Sequence, residues 1–140
     1  MTRVIVDPGV LVSAFISSRR AAPVLLVDAF LDGRFEMVVT PKLVAELTDV
    51  LAREKFSANA ADGRAAAYIA ALLDRAEMVS DVPRGSIRTA DPDDDYLLSV
   101  GEARRLDAVV SGDRHLLDAT SGELPVLTPR ELCDRLRLVP

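Results

Sequence analysis

Carboxylates are the residues of this sequence best suited to chemistry, and they are unevenly spread. The stretch "RTADPDDDYLL" (88–98) places Asp91, Asp93, Asp94 and Asp95 just before an apolar run. Asp7 ends the apolar run "RVIV", Asp113 follows "AVVSG", and Glu46 lies between Leu43 and Val50 on a helical pattern. Four segments therefore each bring an acid toward a core-like element. Carboxylates crowded in a low-dielectric cleft do not all stay ionised without a counter-charge. A divalent cation resolves the conflict. Mg²⁺ takes hard oxygen ligands and keeps several waters, and such an ion can activate water against a phosphodiester. Cys133 is the one cysteine and His115 the one histidine, so no zinc-type cluster can be assembled from them.

Each acid also has a plainer role. Asp91 before Pro92 is suited to capping a helix. Asp93 and Asp95 are expected to be solvated at that helix start, where the dipole favours them, and the spacing leaves Asp94 open between ligand and surface. Glu46 flanks the apolar face of its helix, a position equally compatible with a surface residue. Asp7 and Asp113 are harder to explain as surface charge, because an acid ending a buried strand needs a partner. His115 reads as a helix-surface residue and Cys133 as a small packing residue.

These residues must be positioned by alternating elements. "RVIV" (3–6), "EMVV" (36–39) and "AVVS" (108–111) read as buried parallel strands, with "PVL" (125–127) an edge strand and "MVS" (78–80) a further short one. Helical patterns fill the intervals. "APVLLVDAFLDG" ends on Gly33, and "TPKLVAELTDVLAREKF" sets Leu43, Val44, Leu47, Val50 and Leu51 on one face. Two more cover 62–75 and 92–105. Thr40-Pro41, Asp91-Pro92 and Thr128-Pro129 each place a capping side chain before a first-turn proline. Glu131 completes a capping box with Thr128. Strand–helix alternation predicts an α/β fold, a parallel sheet covered on both faces, built as one domain over 1–140. Ligands in such sheets bind beyond the carboxyl ends of the strands, where Asp7 and Asp113 fall.

The chain is 49% hydrophobic and 28% charged, which fits a globular protein. Its formal net charge is −5, so a polyanionic partner requires local cations or a bound metal. Arg19, Arg20 and Arg114 are the candidate cations for such a partner. Aromatics make up only 4% of the residues, too few for base stacking to dominate recognition. A lone cysteine and an N-terminus unlike a signal peptide or membrane span predict a cytoplasmic protein with no membrane partner.

The segments "VIVDPGVLVSAF", "VVTPKLVAEL", "ADPDDDYLLSVGEARRLDAVVSGDRHLL" and "VLTPREL", in this order, resemble a PIN domain. The resemblance spans essentially the whole chain and is nearest to bacterial PIN proteins regarded as toxins of toxin–antitoxin systems. It implies a three-layer α/β/α sandwich around a central parallel sheet. The activity implied is Mg²⁺- or Mn²⁺-dependent endoribonuclease cleavage, with RNA as substrate, an antitoxin protein as partner and a homodimer as the assembly. The motifs carry the catalytic acids onto Asp7, Glu46, Asp94 and Asp113, with Asp7, Asp94 and Asp113 as metal ligands. Asp91 and Ser111 are implied in support, Ser111 standing where the family usually has Thr.

One motif departs from the family. Asp7-Pro8-Gly9 replaces the usual Asp-Thr-Asn, losing a hydroxyl and an amide beside the first acid. The alternative this raises is a catalytically weak or silent PIN fold serving as an RNA- or protein-binding module. A phosphatase of the haloacid dehalogenase type would need a second aspartate at position 9, where glycine stands.

Overall fold

β-Branched residues dominate the central strands, and their side chains are almost fully removed from water. In the computed structural model, which describes residues 1–53, 63–83, 95–120 and 123–138, Val4, Ile5, Val38, Val109 and Val110 have essentially no exposed surface. The strands are β1 (Arg3–Val6), β2 (Glu36–Val39), β3 (Glu77–Met78), β4 (Ala108–Val110) and β5 (Val126–Leu127). All pairings are parallel, in the order β3-β2-β1-β4-β5. Ile5 stands opposite both Val38 and Val109, which fixes the register at the centre of the sheet. Burial on both faces explains why these strands read as continuous apolar runs rather than alternating ones.

The described helices are α1 (Pro8–Ile16), α2 (Ala22–Leu31), α3 (Pro41–Ala52), α4 (Arg64–Arg75), α5 (Asp95–Ala103), α6 (Arg114–Leu117) and α7 (Pro129–Arg135). Helix α1 packs against α2 and α3, and α2 against α7, while α5 lies on β1 and β4. The result is the expected three-layer α/β/α sandwich.

Local signals hold where the backbone chemistry is specific. The Thr40 hydroxyl accepts from Leu43 N–H at 3.2 Å, and Thr128 and Glu131 form the reciprocal capping box. Gly33 has φ +79° just past α2, a left-handed conformation that glycine adopts without steric cost. Leu43, Leu47 and Leu51 are buried along α3, with Val44 and Val50 at the edge of that face.

Strand ends shift by small amounts. β4 stops at Val110, because Ser111 turns its side chain toward Asp7 while its N–H still bonds Leu127. The short strand expected at 78–80 is Glu77–Met78, one residue earlier at its start. The Asp91-Pro92 cap lies outside the described residues.

Candidate active site

Asp7 is placed by the sheet itself. Its backbone N–H donates to the Val110 carbonyl at 2.8 Å, so the residue leaving β1 is tied to the end of β4. The chain then turns directly into α1, with Asp7 as its cap: Gly9 N–H donates to Asp7 Oδ1 at 3.0 Å. The other carboxylate oxygen, Oδ2, accepts from the Ser111 hydroxyl at 2.7 Å. Ser111, fully buried, accepts in turn from Asp113 N–H at 2.9 Å. Asp113 Oδ1 caps α6 by accepting from His115 N–H at 2.8 Å.

One buried hydroxyl thus joins the loops that follow two adjacent strands and carry two acids. The crevice lies where the chain order reverses, β2 to one side of β1 and β4 to the other, the usual ligand position in open α/β sheets. Each carboxylate offers about four lone-pair sites, so capping and bridging leave oxygen donors free. A cleft of about 410 Å³ opens here, with Asp7 and Asp113 in its wall beside Gly9, Gly112, Ser13 and Pro129.

Glu46 sits half-buried on α3, flanking the apolar stripe as its spacing requires. Its carboxylate and that of Asp7 act on a common neighbour, Tyr96. Burial, first, and then the charges of Glu46, Asp7 and Asp81 push the Tyr96 phenol well above the usual tyrosine range.

Asp7 and Asp113 are therefore joined through Ser111, and Glu46 stands half-buried on α3. Asp91 and Asp94 lie outside the described residues. Among those described, no group of three or more His, Cys, Asp or Glu side chains is close enough to hold a metal by itself. The donors present are all oxygens, two of them on one braced crevice, which suits a hard cation such as Mg²⁺ better than a soft one.

Asp95 corrects the expectation of a solvated residue. It is 1% exposed at the start of α5 and is engaged in interactions there. The helix is buried continuously from Asp95 to Gly101, so its first turn points into the protein rather than along its surface.

The arginines divide. Arg20 pairs with Asp28 at 3.1 Å, whereas Arg19 lies exposed in the turn after α1 and Arg114 opens α6 beside Asp113. Sequence reasoning missed Tyr96 and Lys42, whose ammonium lies 4.5 Å from the Tyr96 ring centroid. The four-residue spacing from Lys42 to Glu46 was the available signal, since it sets both on one face of α3.

Comparison with known proteins agrees with this architecture. A family model described as "PIN domain" matches residues 3–115. The crystal structure of PAE2754 from Pyrobaculum aerophilum is similar at a TM-score of 0.68 and 18% identity, covering 98% of this chain and 90% of the other. VapBC2 from Rickettsia felis, bound to a DNA fragment from its promoter, gives a TM-score of 0.64 at 11% identity, covering 91% and 98%. FitAB bound to the IR36 DNA fragment gives 0.56 at 14%, covering 90% and 94%. No curated protein matches in sequence. At these identities the solved structures establish the fold alone, and the family model covers well over half of the sequence: the chain belongs to the PIN domain family.

Proposed function

We propose that this protein is a metal-dependent endoribonuclease acting as the toxin of a toxin–antitoxin pair. The observation that carries the reading is the Ser111 bridge, which holds Asp7 and Asp113 together at the reversal point of the sheet. Asp7, Asp113 and Asp94 would hold Mg²⁺ or Mn²⁺, with Glu46 as a further catalytic acid and Asp91 in support. Such an ion, when bound, lowers the pKa of water and stabilises charge on phosphate oxygens.

The chain's own groups orient and exclude. Gly9 N–H and the Ser111 hydroxyl fix both oxygens of Asp7, so its remaining lone pairs face the cleft in one orientation. His115 N–H does the same for Asp113. Glu46 is suited to accept a proton from the attacking water, being half-buried and held on a rigid helix. Arg114, beside Asp113, and exposed Arg19 are available to RNA phosphates; Arg20 would first have to leave Asp28. An antitoxin partner is supported by the VapBC2 and FitAB structures, which share the fold. A homodimer in the cytoplasm is the assembly that goes with this reading, and sedimentation of the purified protein tests the dimer.

The test is cleavage of end-labelled single-stranded RNA with Mg²⁺ or Mn²⁺, with EDTA, and with Asp113→Asn. Cleavage should require the metal and disappear in the variant. Cleavage indifferent to both would sink the proposal. Metal binding without cleavage would instead favour the silent RNA- or protein-binding module.

A further inference from the structure

Lys42 lies in the first turn of α3, one turn before Glu46, and four-residue spacing places the two side chains on one face, about 6 Å apart along the axis. The end of α3 is held firmly. Thr40, fully buried, caps it, and Lys42 N–H donates to Asp81 Oδ2 at 3.0 Å, tying the helix start to the segment after β3. The Lys42 side chain is exposed, yet its ammonium lies over the Tyr96 ring, 4.5 Å from the centroid. None of the ion pairs among the described residues involves Lys42.

This arrangement differs from an ordinary surface lysine. A carboxylate partner would neutralise the ammonium, whereas an aromatic face holds it while leaving its charge to act on an anion. The ring is itself fixed, since Tyr96 is only 9% exposed. Its hydroxyl is buried as well. The Tyr96 ring therefore holds a cation one turn from Glu46 on the same helix. A flexible lysine loses considerable rotamer freedom on binding, and a ring that orders it beforehand reduces that loss.

We propose that Lys42 binds a backbone phosphate of the RNA strand next to the one that is cut, with Tyr96 as the positioning residue that holds it. The inference rests on the ribonuclease reading above. A chain of net charge −5 repels RNA at a distance, and a cation one turn from an acid of the site offsets that repulsion where the strand must enter.

The test is equilibrium binding of a short single-stranded RNA to the Asp113→Asn protein across a series of KCl concentrations. Removing one phosphate contact lowers the slope of log K against log salt by about 0.7 for single strands. Lys42→Ala should show that reduction with weaker binding at low salt, and Lys42→Arg should restore the slope. Tyr96→Leu should weaken binding while nearly keeping the slope, because the charge remains but is no longer held. Tyr96→Phe, which keeps the ring, should lose less affinity than Tyr96→Leu. An unchanged slope in Lys42→Ala overturns the proposal and leaves the ribonuclease reading standing. An equal loss in Tyr96→Phe and Tyr96→Leu overturns the role of the ring. A parent protein that binds no RNA at any salt removes both readings together.

Discussion

Ser111 is the residue on which the site's geometry depends. Its hydroxyl donates to Asp7 and accepts from Asp113 N–H, in a position without solvent contact. Ser111→Ala would take its partner from the half-buried Asp113 N–H, a loss of about 1 kcal/mol. It would also free Asp7 to rotate, and loss of such a supporting contact typically costs roughly 10- to 100-fold in metal affinity. Denaturant unfolding and Mn²⁺ titration of the variant measure the two effects separately. The Asp7-Pro8-Gly9 variation can now be weighed on structure. Gly9 N–H is a donor, but it is spent on Asp7. A Cβ built at Gly9 would meet Asp7 Oδ1 at 3.6 Å, ordinary contact, and Gly9 is not among the positive-φ glycines. Pro8→Thr with Gly9→Asn is therefore accommodated and should raise RNA cleavage by returning a hydroxyl and an amide beside the first acid. Slower cleavage in the double variant, measured as initial rate on one RNA, would show that Pro8 and Gly9 already form a working motif.

Helix ends and close approaches decide how the acids are presented. Thr40 is both the cap of α3 and fully buried, so Thr40→Ala removes a cap and leaves a gap at the helix that carries Glu46. A loss near 1 kcal/mol is expected from the cap alone, visible as a lower midpoint in urea. Gly101 shows the opposite constraint. A Cβ there would meet the Leu124 methyls at 3.0 Å and Val109 Cγ2 at 3.2 Å, because α5 lies close against β4. Gly101→Ala gains helix propensity but should still destabilise, by roughly 1–3 kcal/mol of overpacking. Net stabilisation on thermal melting would mean that Leu124 moves aside easily.

For the whole molecule, excess negative charge and two acids joined at one crevice make metal binding and stability one question. A cation that binds only the native state stabilises it by mass action. Millimolar Mg²⁺ or Mn²⁺ should therefore raise the melting temperature, and Asp113→Asn should abolish the rise. An unchanged melting temperature in the natural sequence would argue against a competent metal site. Among the described residues no helix is long and apolar enough to cross a membrane.

Much of the fold was legible because its signals are local. Continuous β-branched runs mark strands buried on both faces, and Thr-Pro pairs mark helix starts, whatever the rest of the chain does. The sequence by itself also set Asp7 and Asp113 just past strand ends, since Asp7 follows its apolar run directly and Asp113 comes after only Ser111 and Gly112. Tertiary structure decided what those positions mean. Sheet order brings β1 beside β4, and only that adjacency lets Ser111 bridge acids 106 positions apart, as counted from residue 7 to residue 113. Asp95 was read as solvated because a helix start is usually wet, and the packing of α5 against β1 and β4 buried it instead. Lys42 and Tyr96 were invisible as a pair for the same reason. A ring and a cation 54 positions apart, residue 42 to residue 96, meet only when the tertiary fold brings α3 and α5 together.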